Sequence, residues 1–539
     1  MTTTAELVGR TLAELGVAQA FGVVGSGNFA VTNALRAHGV PFVAARHECG
    51  AATMADAYAR MSERVAVVTT HQGPGLTNAL TGIAEAAKSR TPLLVLAADT
   101  PSAAVGSNFR VDQHAAVTAV GAVAERVHSA ASAVADTVRA YRTAVHERRT
   151  VVLNLPLDVQ AAPAERAEVP PRPVPHPVRP AAAAVAELAM ALDAAARPVF
   201  IAGRGARGAA SELRALADAT GALLATSAVA NGLFRDDPWS LGISGGFASP
   251  VAVELIASAD LVVGWGCALN NWTTRRGALI GPDATIAQVD LDPAALGGHR
   301  RVDVGVLGEV AATARDLLAA QPSTRDGWRT PELCERIAGS RWRAVPFTDE
   351  STVDRIDPRA LSVRLDELLP AERVVSVDSG NFMGYPSAYL DVPDQHGFCF
   401  TQAFQSIGLG LATAVGAALA RPDRLPVAAL GDGGFLMSVA ELDTVVRLGL
   451  PMVIVVYNDD AYGAEIHHFG DADMTTVRFP PTDLAAIGAG FGCAGLTVRT
   501  VADLDGLAEW LAGPRDRPLL IDAKITSDGG AWWLAEAFA

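Results

Sequence analysis

A short apolar run, Leu425-Pro-Val-Ala-Ala-Leu430, breaks into Gly431-Asp432-Gly433-Gly434, and this junction constrains the fold more than any other part of the chain. After the glycines, Phe435, Leu436, Val439, Leu442, Val445 and Val446 recur at helical spacing. Met452–Val456 is a second apolar run, leading into Asn458-Asp459-Asp460, with 24 residues between Gly433 and Asn458. Strand, glycine turn, helix, strand is a parallel βαβ unit, and such sheets bind ligands beyond the carboxyl ends of their strands. Glycines let backbone N–H groups approach phosphate oxygens, and the following helix offers its positive end. Mg²⁺ prefers octahedral oxygen coordination from one or two carboxylates plus substrate phosphates. Adjacent parallel strands lie roughly 5 Å apart, so one ion at this edge could touch both Asp432 and the end of the second strand. Strand alternation sends only one of Asn458 and Asp459 into the site, and the spacing leaves both open.

The same alternation of apolar runs and helical patterns recurs elsewhere. Phe42–Ala45, Val65–Val68, Leu93–Ala97 and Val151–Leu155 mark strands in a first block; Pro198–Ala202, Leu261–Gly264 and Ile286–Asp290 mark them in a middle block. Between these blocks, residues 161–184 are dense in proline, which excludes a helix or central strand and predicts an extended linker. A weaker break lies near Arg343 to Pro358. The expected class is α/β, with three doubly wound parallel-sheet domains at 1–165, 185–343 and 355–539 and a proline-rich linker at 166–184.

Composition narrows the partners. A formal charge of −15 over 539 residues argues against nucleic acid and anionic membrane surfaces. Five scattered cysteines, none in a CxxC pair, predict neither a disulfide framework nor a zinc site. With no signal-like start and no bilayer-length apolar run, a cytoplasmic protein is expected.

The pattern Gly431-Asp432-Gly433 followed by Asn458-Asp459 resembles the thiamine-diphosphate (ThDP) motif, where the second position of an Asn-Asn pair ligates the metal. The likeness extends along the chain: Phe21-Gly22-Val-Val-Gly25-Ser26, Arg46-His47-Glu48, Gly73-Pro74-Gly75-Leu-Thr77-Asn78 and Arg90-Thr91-Pro92, then Ser379-Gly380-Asn381-Phe382 and Gln405-Ser406-Ile407-Gly408. Together these motifs resemble the acetolactate synthase, benzoylformate decarboxylase and benzaldehyde lyase superfamily.

That resemblance implies pyrimidine-binding, central and diphosphate-binding domains, with ThDP and Mg²⁺ as cofactors. It implies metal ligation by Asp432, Asp459 and the Ala461 carbonyl. Asp459 stands where the family pattern has Asn, which adds a negative charge beside the diphosphate. The resemblance places Gly380, Asn381, Phe382, Gly431, Gly433, Gly434, Tyr462 and Gly463 along the cofactor as well. Glu48 would bond the pyrimidine ring nitrogen, so that the exocyclic nitrogen removes the C2 proton, an acid–base role exercised through the cofactor. Gln405 would offer a carbonyl to the exocyclic amine, and Ile407 an apolar wedge under the bent cofactor. Since Glu48 and the Gly431 loop belong to different subunits in the superfamily, a homodimer or homotetramer is implied.

Substrate-side candidates are fewer. Ser26 and His71 match the serine and histidine of the benzoylformate decarboxylase pattern, and Gln113 matches a pocket glutamine of benzaldehyde lyase and acetolactate synthases. His467 and His468 follow the metal loop; adjacent helical residues diverge by about 100°, so one of them, His468, is expected to face substrate. Gly264-Trp-Gly-Cys-Ala-Leu-Asn-Asn271 lacks the arginine and aspartates of the flavin-binding pattern, so FAD is disfavoured. The expectation is a ThDP- and Mg²⁺-dependent enzyme that decarboxylates a 2-oxo acid, with or without ligation to an aldehyde. An acetolactate synthase-like or benzaldehyde lyase-like reaction is the alternative. A flavin-containing 2-oxo acid oxidase and a ThDP-fold binding protein without turnover are the readings from other classes.

Overall fold

A computed structural model of the chain describes residues 2–171, 176–320, 326–527 and 531–534. Three six-stranded sheets organise it, and every strand pair within them is parallel. The first contains β1 (Gln19–Gly22), β2 (Phe42–Ala44), β3 (Ala66–Thr70), β4 (Leu93–Asp99), β5 (Val123–Arg126) and β6 (Thr150–Pro156), in the order β2-β1-β3-β4-β6-β5. The second contains β7 (Pro198–Ala202), β8 (Leu223–Thr226), β9 (Ser240–Ile243), β10 (Leu261–Trp265), β11 (Thr285–Asp290) and β12 (Val304–Leu307), ordered β12-β11-β10-β7-β8-β9. The third contains β13 (Arg373–Val377), β14 (Phe398–Phe400), β15 (Leu425–Gly431), β16 (Val453–Asn458), β17 (Ala494–Val498) and β18 (Leu519–Lys524), ordered β14-β13-β15-β16-β18-β17.

Central strands are apolar along their whole length because helices cover both faces of a parallel sheet. In β3 and β16 every residue is buried. Two edge strands lack that signature: β5 (Val-Ala-Glu-Arg) and β17 (Ala-Gly-Leu-Thr-Val) are largely half-buried. The apolar-run reading left both unmarked for this reason. The described residues between 164 and 181 hold no helix or strand, and the helix Ala182–Ala194 begins within the expected linker; residues 172–175 of that linker lie outside the described residues.

The first and third sheets pack against each other through helices. The alanine- and glycine-rich helices Glu48–Ser62 and Gly410–Ala420 approach closely: a Cβ on Gly416 would lie 2.2 Å from the Met54 carbonyl oxygen. One continuous core joins Phe21, Val68 and Met54 to Val415, Phe435 and Ile454. The expected single helix after the glycine turn is instead broken into Asp432–Ser438, a 3₁₀ turn at Val439–Glu441 and Leu442–Arg447. Phe435, Leu442 and Val445 are buried as the spacing requires, whereas Leu436 is 43% exposed. That residue falls outside the buried stripe.

Candidate active site

Strand order explains how remote motifs meet. In the first sheet, the adjacent strands β2, β1, β3 and β4 lead at their carboxyl ends to Glu48, Ser26, His71 and Gln113 respectively. In the third, β14, β13, β15 and β16 lead to Gln405 and Ile407, Ser379–Phe382, Gly431–Gly434 and Asp459. Both edges are where parallel sheets receive ligands.

β15 ends at Gly431 and β16 at Asn458, so Asp432 opens the following helix and Asp459 begins the next turn. The Asn458 amide is engaged at both ends. Its Nδ2 donates to Asp522 Oδ1 at 2.8 Å, and its Oδ1 accepts the Asp460 N–H at 3.0 Å. Asp459 is left facing Asp432. Burial pushes the Asp432 carboxyl up to about 6. Burial, followed by the charge of Asp432, pushes Asp459 up to about 7. Two buried carboxylates driven together are unfavourable by themselves, and a divalent cation would invert that balance. Asp460, in left-handed backbone with φ 55°, pairs with Arg355 at 2.5 Å and lies beside Asp432 in the same small cavity, where its charge adds to the rise of the Asp432 carboxyl.

The glycines around this pair are sterically required. A Cβ on Gly433 would lie 2.5 Å from the Tyr462 ring, and one on Gly463 would lie 2.4 Å from Asp459 Oδ2. Asn381 Oδ1 is buried with no hydrogen-bond partner, next to Gly463, and so leaves a polar atom for a ligand or its water. Phe382 stacks on Tyr457 with centroids 5.3 Å apart. The donor set and the tight glycine turn fit a metal–diphosphate group: Asp432, Asp459 and the Ala461 carbonyl would hold the ion, which would neutralise the charge of the diphosphate.

Asp378, at the end of β13, went unmarked in the sequence. Fully buried, it accepts N–H bonds from Ser379 (2.8 Å), Gly408 (3.0 Å) and Leu409 (3.2 Å), and burial pushes its carboxyl up to about 6. It ties the Ser379-Gly380 loop to the Gln405–Gly408 loop. Gln405 sits there in left-handed backbone (φ 62°), with its carbonyl 3.5 Å from Ser379 Oγ. The available signal was a carboxylate at a strand's carboxyl end immediately before a glycine loop.

On the first sheet, Gly75 brings two candidates together: a Cβ there would lie 3.1 Å from His71 Cβ and 3.4 Å from Glu48 Oε1. Glu48 is half-buried, and its Oε2 accepts from Asn78 Nδ2 at 3.1 Å. His71 Nδ1 accepts the Gly27 N–H at 3.2 Å, which leaves the ring proton on Nε2. The ring packs edge-on against Phe109 at 5.1 Å. Ser26, next to Gly27, is exposed. Gln113 is engaged at both ends of its amide: Oε1 accepts the Gly73 N–H (3.0 Å), and Nε2 donates to the Ala98 carbonyl (3.0 Å) and Asn154 Oδ1 (2.8 Å). It braces the turn that carries His71.

Glu441 was also unmarked, because its partners are 395 positions away. Buried in the third domain, it accepts the backbone N–H groups of Arg46 and His47, each at 3.0 Å, and Thr444 Oγ1 at 2.6 Å. It thereby clamps the turn that presents Glu48.

A small cavity of about 260 Å³ is walled by Asp432, Gly433, Tyr462 and Asn458. A wide one of about 1700 Å³ runs between the three domains and reaches Ser379, Gly380, Gln405 and Ile407. Both His467 and His468 border it, because a cavity this broad is met by both sides of one helical turn. Glu48, Ser26 and His71 border neither cavity.

Comparison with known proteins agrees with this geometry. Residues 2–124 match the thiamine pyrophosphate enzyme N-terminal TPP-binding domain, 185–317 the central domain and 378–523 the C-terminal TPP-binding domain. A probable 2-ketoarginine decarboxylase of Pseudomonas aeruginosa is 33% identical over 521 residues, covering 92% of this chain and 89% of its own. A sulfoacetaldehyde acetyltransferase of Alcaligenes xylosoxydans xylosoxydans is 29% identical, with 91% and 87% covered. An acetolactate synthase large subunit of Lactococcus lactis subsp. lactis is 27% identical, with 86% and 81% covered. Three domain matches in the expected order, joined to a site shaped for a diphosphate, make this chain a member of the thiamine pyrophosphate enzyme family and a thiamine diphosphate-dependent enzyme.

Proposed function

We propose that the chain uses ThDP with Mg²⁺ to break or form a C–C bond beside a carbonyl, most directly in decarboxylating a 2-oxo acid. The observation that carries this reading is the convergence at Gly75, where Glu48 and His71 stand on either side of one turn, with Ser26 beside His71's partner Gly27. When bound, ThDP supplies a carbanion at its C2 that adds to the substrate carbonyl. Glu48 holds the proton that activates the cofactor ring. His71, with its proton on Nε2, donates to a substrate oxygen or carboxylate, and exposed Ser26 adds a hydroxyl on the same side. Gln113 keeps the His71 turn in place.

Ligation to an aldehyde or second 2-oxo acid is a further step within the same proposal. The width of the central cavity supports it, since a second substrate needs room beside the first. The sulfoacetaldehyde acetyltransferase and acetolactate synthase among the relatives support it too.

The proposal includes a homodimer or larger homo-oligomer. Supporting it, Glu48 and Asp432 border no common cavity, and apolar side chains stand exposed on both half-sites: Phe29 (59%) and Phe109 on one, Met437 (59%) and Leu436 on the other. A cytoplasmic setting is supported by five unpaired cysteines. Among the described residues, no helix is long and apolar enough to cross a membrane.

The test is carbon dioxide release and product mass analysis over a panel of 2-oxo acids, with and without aldehydes, on protein loaded with ThDP and Mg²⁺. Turnover of at least one 2-oxo acid, lost on chelation of Mg²⁺, is expected. A folded, ThDP-loaded protein inert toward the whole panel would overturn the proposal. Light scattering showing a monomer with full activity would overturn the shared-site arrangement.

A further inference from the structure

The turn after β7 carries two guanidinium groups that no acid among the described residues pairs with. Arg204 and Arg207 lie in the 3₁₀ segment Arg204–Ala209, facing the Gly266-Cys267 turn after β10 across the point where the order of the central sheet reverses. Ligands enter doubly wound sheets at such reversals. Arg207 is only 8% exposed; it donates to the carbonyls of Arg60 at 2.9 Å and Val229 at 2.6 Å, and its Nε is buried without a partner. Arg204 makes no hydrogen bond or ion pair with any described residue, and its Nε is likewise buried and unpartnered.

The nearby acids are committed elsewhere. Arg60 takes Asp56 at 2.5 Å and Glu85 at 2.8 Å. Glu85 also accepts the backbone N–H groups of Ala403 and Phe404. Asp394 holds Arg424, and Glu63 is exposed. Burial pushes the Cys399 thiol up to about 11, so it supplies no charge. The two acids that act on Arg204, Asp56 and Glu85, are both held by Arg60, while Glu63 and Asp394 act on Arg207 without an ion pair to it. Burial, then the charges of Arg60 and Arg207, draws Arg204 down to about 9, which leaves it protonated at neutral pH. In a chain of net charge −15, the lining of the wide cavity also includes Lys88, Arg148 and an Arg90 paired with Asp292, against the acids Glu63, Asp290 and Glu465. Uncompensated buried cations are costly, and a guanidinium fork matches the oxygens of a carboxylate or phosphate.

We propose that Arg204 and Arg207 form an oxyanion-binding site in the cavity between the three domains, one that takes the carboxylate or phosphate group of a small anionic molecule and is separate from the diphosphate turn at Gly431. The anion comes either from the far end of the substrate, since the same cavity reaches Gln405 and Ile407, or from a separate anionic metabolite. The binding test below stands whether or not the proposed 2-oxo acid chemistry holds.

Holoenzyme saturated with ThDP and Mg²⁺ is titrated with inorganic phosphate and with succinate, and followed by thermal melting and calorimetry. Saturable binding with a rise in Tm is expected for the wild type. Arg204→Gln should weaken it by about tenfold or more, the loss of a charged hydrogen bond, while ThDP affinity is unchanged. Arg204→Lys, which keeps the charge but not the fork, should fall between them and guards against misfolding of the glutamine variant. No saturable binding in the wild type, or equal affinity in all three proteins, overturns the site. The source is read from kcat/KM for 2-oxoglutarate relative to 2-oxobutyrate. A ratio that falls in Arg204→Gln assigns the anion to the substrate, whereas an unchanged ratio with lost phosphate binding assigns it to a separate ligand.

Discussion

The first and third sheets have the same strand order and put their candidate residues after the same four strands, yet the two edges have opposite chemistry. After β13, β15 and β16 the third domain places three carboxylates among glycine turns, Asp378 and Asp432 buried and Asp459 half-buried. After β1, β2 and β3 the first domain places Ser26, Glu48 and His71, none of them fully buried. In the proposed reading, one edge grips a charged, metal-bound group, and the other presents acid–base and hydrogen-bonding groups to a ring and a substrate. Scaffold and function are thus separable: the fold supplies four positions in a row, and the turn residues decide what they do.

That contrast can be broken at either edge. The largest effect is expected from Asp432→Ala, which removes the carboxylate on the metal side. ThDP retention in the presence of Mg²⁺ should weaken by roughly 100-fold, about 2.7 kcal/mol. Unchanged binding by calorimetry would mean the metal centre lies elsewhere. Glu48→Gln addresses the other edge. ThDP retention should stay near normal while exchange of the cofactor's C2 proton, followed by NMR, slows by about 100-fold or more. Normal exchange would remove Glu48 from activation.

His71→Ala sharpens the division within the first edge. Decarboxylation should slow by roughly tenfold or more, with C2 exchange almost unaffected. Equal losses in both would make His71 a structural residue. The smallest effect is expected from Glu441→Gln, which weakens the clamp between the two edges. Two backbone N–H groups would share a poorer acceptor, at a cost of about 1–3 kcal/mol in unfolding free energy, with a modest slowing of C2 exchange. A denaturation midpoint and an exchange rate both equal to wild type would show that the Glu48 turn holds its own shape.

Much of the fold was legible because buried parallel strands are written as continuous apolar runs, such as Leu93–Ala97 and Val151–Leu155. Edge strands β5 and β17 were not, since one side of each lacks a neighbour to bury it. The glycine turn and its two acidic positions were legible for a local reason: close approach of backbone to an anion demands glycine. The clamps were not legible. Asp378 and Glu441 are ordinary acidic residues in sequence, and what distinguishes them is a set of N–H groups brought in by packing.

The amino-acid sequence alone determined the three-part α/β plan, the glycine-flanked carboxylates and membership in a cofactor-defined family, because each rests on short-range patterns of apolar period and turn chemistry. Only tertiary structure decided that Asn458 turns toward Asp522 and leaves Asp459 to face Asp432, and that the amide of Gln113 is consumed in bracing a turn. It alone brought Arg204 and Arg207 beside Arg60 without a matching acid. Such outcomes depend on which strands become neighbours and which side chains share a buried space. No spacing along the chain encodes the direction in which a side chain leaves a sheet edge or the charge it meets there.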